Sequence, residues 1–430
     1  MTGAHEADEV DILLIGGGVA AAGAAEELRR KGFAGTVALA TRESDAPYHR
    51  FYLTKEYLRG AVAADDLAVH SPEWWQDNEI ALWLRSPVLS LDPAARTARV
   101  GRRTVRWGKA LLATGANVRL LDCPGSGLTG VHYLRTTGNA DELLNDLIGT
   151  ESLVVVGGSF VAAETAASAA ALGIHTTMVF PEPVPLARSL GAPIGRIVEG
   201  ELSRLGVVVH SGSVVESLCG DERVEGVVLA GGTTLPADTV VVGIGARPET
   251  TLAKRCGLGL GEGGGVLCDS TLRTSDPHIW AAGDMCEFDS ARHGRTVRIE
   301  HDRVASAQGR HAARAMLGDT VSFIDYPYFW TTIGENLHID VVATDAPGDA
   351  VVPWHLPLRP DTATWHTATG GAGPEPAAYR YSSRGDTSGY AFVNGALVFS
   401  TLSGFPGEGG EAQLPAAGSF LRPPSLRGGR

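Results

Sequence analysis

The chain has few cysteines: five in 430 residues, at Cys123, Cys219, Cys256, Cys268 and Cys286. They are scattered, with no C-x-x-C or similarly close pair. That spacing excludes an obvious zinc cluster and a local redox dithiol, so no metal site is expected, and it suits a reducing cytoplasm. No apolar run reaches about 18 residues, so no membrane-spanning helix is expected. Residues 1–9 are polar and acidic and lack the basic and apolar regions of a signal peptide. The expected location is the cytoplasm. Positive charge is also scarce: 36 Lys and Arg against 49 Asp and Glu give a net charge of −13. This argues against nucleic acid or an anionic membrane as a partner. Hydrophobic content of 44% and a mean hydropathy of +0.02 are those of a soluble globular protein. The length suggests two or three domains.

Glycine, by contrast, is plentiful, and its placement organises the chain. Val10, Ile12, Leu13, Leu14 and Ile15 make an almost continuous apolar run, as in a buried parallel strand. Gly16, Gly17 and Gly18 follow at once, and residues 20–28 have the composition of a helix. A dinucleotide needs this layout, because its pyrophosphate sits on free backbone N–H groups at a helix N-terminus. Gly16 permits the tight turn, Gly18 lets the backbone approach the phosphates, and Ala21 takes the third glycine place. Residues 37–40 read as the next strand, with Arg42 and Glu43 directly after it. An acid that holds the adenosine ribose usually stands there; Glu43 is the candidate, and Arg42 is the other occupant of the position. A second unit begins at Glu151: strand 153–156, turn Gly157-Gly158-Ser159, alanine-rich helix 160–172 and strand 176–180. No other internal repeat is present.

Between the two units the sequence resembles a known family. Residues 37–60 are similar to the flavin-binding stretch of the ferredoxin reductase and apoptosis-inducing-factor-like branch of the glutathione reductase (pyridine nucleotide-disulfide oxidoreductase) superfamily. Its pattern, P-Y-x-R-P-P-L-S-K-x-Y-L-x-G, is matched by Pro47, Tyr48, Arg50, Leu53, Lys55, Tyr57, Leu58 and Gly60, with Phe51 and Tyr52 replacing the two prolines. Ala113-Thr114-Gly115 matches the A-T-G turn, Leu134-Arg135-Thr136 the L-R-T element, and Ala281-Ala282-Gly283-Asp284 the A-x-G-D motif. Arg298, Glu300, His301, Gln308 and Gly309 fit the R-x-E-H-W…Q-G segment, with Asp302 where relatives have an apolar residue, often Trp. Residues 237–248 resemble the return strand and its G-x-G-x-x-P turn, which includes Gly245.

The resemblance implies an α/β fold of two nested Rossmann-like units and a small, divergent α+β C-terminal domain. The expected division is 1–120 with 247–325 for FAD, 121–246 for a nicotinamide nucleotide, 326–403 for the last domain and 404–430 for a flexible tail. The implied FAD contacts are Gly16, Gly18, Ala20, Glu43, Arg50, Lys55, Val88, Ala113, Thr114, Gly115, Arg135, Asp284, Glu300, Asp302 and Trp330. Arg135 reaches the flavin cofactor in that family, and Asp284 accepts from the ribityl chain. Lys55 and Glu164 match positions at the flavin's reactive edge and take the catalytic role as an ion pair, the cation favouring the anionic reduced flavin. Asp302 would oppose that effect or add a proton acceptor, unless it faces water.

Gly157, Ser159, Phe180 and Gly245 outline the nicotinamide site, and three of its features depart from the family. Ser159 and Ala162 replace glycines, and Phe180 stands where a glutamate normally bonds the ribose of NADH. Glu182 lies two residues on, behind Pro181, so its reach back to the site is open. No arginine pair stands there for a 2′-phosphate, so NADH is expected ahead of NADPH but weakly held. The C-terminal part opens with Tyr326-Pro327-Tyr328-Phe329-Trp330. A strand is expected at 337–344, and a hairpin at 390–393 with 397–399, turning at Asn394-Gly395. Residues 347–376 depart from the family. The expected activity is electron transfer from NAD(P)H through FAD to a ferredoxin-type iron–sulfur protein, by a monomer or homodimer. Its alternatives are a flavoenzyme acting directly on a small molecule and a flavin-binding protein without turnover.

Overall fold

The structure, a computed structural model, describes residues 8–291, 294–324, 328–343, 362–364, 377–383 and 386–393. Its first unit grows from the strand Asp8–Ile15, in which Ile12, Leu13, Leu14 and Ile15 are all buried. A strand that is apolar on both faces needs partners on both edges and cover on both sides. It lies parallel to Val37–Ala40, with Leu13 opposite Ala38, and to Arg103–Leu112, with Leu13 opposite Ala110. The sheet runs in the order Ile80–Trp83, Val37–Ala40, Asp8–Ile15, Arg103–Leu112, Thr97–Val100, Val88–Asp92. One face is covered by the helices Val19–Arg30 and Asp302–Met316. They cross so closely that a Cβ on Gly309 would lie 1.9 Å from the Ala20 carbonyl oxygen. The other face packs on Val266, Cys286 and Phe288 of a small three-stranded sheet.

The strand Arg103–Leu112 shows how the chain is threaded. Its first residues pair with Thr97–Val100, and Ala110, Leu111 and Leu112 pair in parallel with Ile279–Ala281, a segment that arrives far later in sequence. The chain leaves through Ala116–Val118 and returns through Ala246–Pro248, two strands that pair antiparallel, Ala116 opposite Pro248. Between them lies a second sheet, all parallel, in the order Val208–His210, His175–Val179, Ser152–Val156, Thr239–Val242, Val131–His132. Its helix Phe160–Ala171 is buried from Ala162 to Ala169. Alanine suits a helix enclosed on all sides, since it lets neighbours approach closely. The same core contains Tyr48, Leu53 and Leu58 of the first unit and Ile333, Leu337 and Ile339 of the last segment. Three parts of the chain therefore meet on this helix.

The last segment is an antiparallel sheet ordered Tyr328–Ile333, Leu337–Ala343, Asp386–Val393, Ala377–Ser383, Thr362–Thr364. Here the structure corrects the sequence. Val393 already pairs with Ile339 on one edge and Ala377 on the other, so residues 390–393 have no free edge for a hairpin with 397–399. Asn-Gly is a local turn signal and carries no information about which edges longer-range pairing fills. Residues 394–430, with the proposed turn and the expected flexible tail, lie outside the described residues, as does most of 347–376. Among the described residues, no helix is long and apolar enough to cross a membrane.

Candidate nucleotide-binding site

Both glycine turns sit at the carboxyl end of a parallel sheet, and both first glycines are obligatory there. Gly16 has φ +131°, and a Cβ on it would meet the Ala113 carbonyl oxygen at 2.1 Å; Gly157, at φ +126°, would meet the Gly243 oxygen at 2.2 Å. A side chain is excluded by conformation and by space alike. Beyond Gly16 the turn opens. Gly18 caps the helix Val19–Arg30 with no side-chain hydrogen bond, and a Cβ there would touch nothing within 4 Å. Open space in front of a helix N-terminus whose cap offers only backbone fits an anionic pyrophosphate.

Around this opening the polar candidates form a connected network. Glu43 accepts from Arg50 Nη2 at 2.6 Å, from Arg50 Nη1 at 3.1 Å and from the Tyr48 hydroxyl at 2.7 Å. Burial works to raise the Glu43 pKa, but Arg50 and the Tyr48 hydroxyl outweigh it and hold the carboxyl below its usual range. Both carboxylate oxygens are thus engaged by protein groups, while Arg42 donates to Asn117 at 2.7 Å. Arg50 also donates to the Arg135 carbonyl at 2.8 Å, and Arg135 Nη2 lies 3.4 Å from Asp284 Oδ2. Burial pushes the Asp284 carboxyl up, against the pull of Arg135. Arg298 donates to the Asp284 carbonyl at 2.9 Å and pairs with Glu300. Gly115 packs beside the Arg135 guanidinium, and Thr114 donates to the Glu249 carbonyl at 2.6 Å. Ala20 lies against Gly283, next to Asp284. Val88 lies on a segment tied to residues 41 and 43 through the amides of Ser86 and Arg85.

A second cluster forms where the three parts meet. Lys55 Nζ lies 3.2 Å from Glu164 Oε1, and both side chains are under a tenth exposed. The carboxylate also accepts from Thr54 at 2.5 Å and Thr331 at 2.7 Å. Lys55 comes from the first unit, Glu164 from the helix of the second and Thr331 from the last sheet. Trp330 lies over Lys55 Nζ at 4.7 Å and meets Phe51 edge to face at 5.1 Å. Asp302 opens the helix Asp302–Met316 and faces His49, 3.3 Å away. His301 caps that helix by accepting from the Arg303 amide at 3.2 Å, and burial holds its pKa down at about 4. Sequence reading missed Thr54 and Thr331: hydroxyls next to matched residues carry no signal until the fold aims them at one carboxylate.

In the second turn, Ser159 caps its helix, accepting from the Ala162 amide at 3.3 Å and donating to the Gly243 carbonyl at 2.7 Å. Gly245 ends the return at φ +105°. Phe180 is 1% exposed, its ring packed against Gly158. Glu182 does reach back to this turn: its Oε2 comes within 3.3 Å of where a Cβ on Gly158 would stand.

Residues 10–309 match the family model described as pyridine nucleotide-disulphide oxidoreductase. Rhodocoxin reductase of Rhodococcus erythropolis is 35% identical over 324 residues, covering 75% of each chain. A ferredoxin–NAD(P)+ reductase of Sphingomonas sp is 34% identical, over 75% of this chain and 78% of that one. Among solved structures, a ferredoxin reductase from Rhodopseudomonas palustris superposes with a TM-score of 0.80 at 30% identity, covering 90% of this chain and 91% of the other. Putidaredoxin reductase, in its covalent complex with putidaredoxin, gives 0.79 at 26% identity and 90% of each chain. The chain therefore belongs to the pyridine nucleotide-disulphide oxidoreductases, as an FAD-dependent oxidoreductase of the ferredoxin reductase branch.

Proposed function

We propose that this chain takes reducing equivalents from NADH, and less readily from NADPH, and delivers electrons to a small iron–sulfur protein in the cytoplasm. FAD, when bound, supplies the chemistry: it accepts a hydride and releases electrons one at a time. Residues 1–120 and 247–325 form the FAD unit in this reading, and 121–246 the nicotinamide unit. The Gly18 amide, at the open helix N-terminus, holds the pyrophosphate, while Gly16, whose own amide donates to the Ala40 carbonyl, makes the tight turn. Asp284 accepts from a ribityl hydroxyl, Arg135 and Glu300 flank it, and Val88 and Ala113-Thr114-Gly115 line the cleft. Glu43 fixes Arg50, which donates to both of its oxygens.

The observation that carries the reading is the buried Lys55–Glu164 pair, held between both nucleotide units. Lys55 keeps a positive charge where negative charge develops on reduction, and Glu164 orients it. Trp330 and Phe51 wall this cation off on one side. No cysteine lies on either helix that follows a glycine turn, so the thiol relay needed for a disulfide substrate is missing. The names of the relatives, rhodocoxin reductase and ferredoxin–NAD(P)+ reductase, support the iron–sulfur acceptor. The test is to supply NADH, catalytic amounts of the FAD-loaded protein and an oxidised [2Fe–2S] ferredoxin. Bleaching of the iron–sulfur absorbance at a rate proportional to the protein supports the reading; reduced FAD that leaves every ferredoxin tried oxidised sinks the acceptor.

The His49–Asp302 pair favours a second reading, direct reduction of a small molecule. A carboxylate with a neighbouring imidazole can relay a proton that one-electron transfer does not need. Small quinones in place of ferredoxin separate the two.

A further inference from the structure

The strand end at Phe180 cannot serve a ribose, yet the turn beside it is not without an acid. After Val179 the chain runs Phe180-Pro181-Glu182-Pro183-Val184-Pro185-Leu186, so Glu182 sits on a segment stiffened by proline at every second position. That segment is stitched down on both sides. The amides of Gly212 and Ser213 donate to the carbonyls of Glu182 and Phe180, both at 3.0 Å, and the Leu186 amide donates to the Gly158 carbonyl at 2.8 Å. The result places the Glu182 carboxylate against the glycine turn, its Oε2 3.3 Å from where a Cβ on Gly158 would stand. Its side chain is 16% exposed. The partner is Arg188, in the first turn of the helix Ala187–Arg204, 69% exposed and bonded to Glu182 through Nε.

We infer that Glu182, and not the strand-end residue, is the acceptor for the adenosine ribose in the nicotinamide unit, and that Arg188 is the group that admits a 2′-phosphate. The inference rests on the functional reading above and names the residues that set its nucleotide specificity. A carboxylate beside the glycine turn suits vicinal ribose hydroxyls, which donate to it; a guanidinium at the solvent rim suits a phosphate monoester. The two groups are bonded to each other, so each nucleotide selects a different state of one pair. NADH uses Glu182 with Arg188 left in place. NADPH must draw Arg188 onto its phosphate and meets a carboxylate that has lost its counter-charge, so it binds more weakly.

The test uses FAD-loaded protein, in which the first site is filled, and follows binding of ADP-ribose and 2′-phospho-ADP-ribose by calorimetry, together with anaerobic flavin reduction by NADH and NADPH. Glu182→Gln should weaken ADP-ribose by about ten- to a hundredfold, the loss of charge-assisted hydrogen bonds, without weakening the 2′-phospho compound. Arg188→Leu should weaken the 2′-phospho compound by about tenfold or more and leave ADP-ribose within about threefold. FAD content and melting temperature should match the wild type in both variants. Unchanged ADP-ribose affinity in Glu182→Gln, with NADH reduction intact, overturns the inference and leaves the function standing. Wild-type protein that holds FAD but binds neither compound, and is reduced by neither nucleotide, overturns both.

Discussion

Asp284 and Lys55 are held in opposite ways, and each predicts a different loss. The Asp284 carboxyl is half-buried with Arg135 only at 3.4 Å, a group poised to accept from a ligand hydroxyl. Asp284→Ala should therefore leave the fold intact and weaken FAD by about 1.5–3 kcal/mol, tenfold or more in affinity. Fluorescence titration of the apoprotein with FAD checks this. Lys55 depends on the protein itself. Glu164→Gln keeps one acceptor oxygen where Thr54 and Thr331 use two, and leaves a buried ammonium without its counter-charge, which destabilises by about 3–5 kcal/mol. The denaturation midpoint of the FAD-loaded protein should fall accordingly, and Lys55→Met in the same chain should restore much of it. At this scale the sequence was legible wherever a residue type is tied to a backbone pattern: Gly16, Arg50, Arg135 and Asp284 stand in motifs. It was illegible where function depends on what another segment places opposite. Glu43 shows this, because an acid after the second strand looks free until Arg50 and Tyr48 are seen to occupy both oxygens.

Helices and strands followed their local signals closely, because apolar runs and glycine turns report burial directly. The strand at 37–40 and the helix after Ser159 formed where composition placed them. The segment 390–399 misled, since a turn dipeptide cannot know that both edges of its strand are filled. The helix Asp302–Met316 carries its own prediction. His301 caps it from a half-buried position, where desolvation lowers its pKa to about 4 from 6.5. The folded state therefore binds fewer protons than the unfolded state between these values. Stability from this residue is complete above pH 6.5 and is lost as pH falls toward about 4, by up to roughly 3 kcal/mol. His301→Asn keeps a capping side chain and removes the titration. The slope of unfolding free energy against pH over that window should flatten in the variant, as followed by urea unfolding at several pH values.

For the whole molecule, the nesting of one unit within another follows from a single long strand, Arg103–Leu112, that pairs with segments on either side of the insertion. The order of motifs made this arrangement readable; the meeting of three segments on the helix Phe160–Ala171 was not, because alanines advertise close packing without naming the neighbour. The five cysteines are free and none lies on the helix after either glycine turn, so every single Cys→Ser variant should keep its turnover with NADH. Loss of activity in one that retains FAD and fold would put sulfur chemistry back. The central claim is that FAD in the first unit is reduced by a nicotinamide held in the second. Rapid anaerobic mixing of the FAD-loaded protein with increasing NADH, followed at the flavin absorbance, tests it most directly. Complete bleaching is expected, at a rate that saturates with NADH and is slower, at equal concentration, with NADPH; flavin that stays oxidised with both nucleotides yet bleaches with dithionite would contradict this.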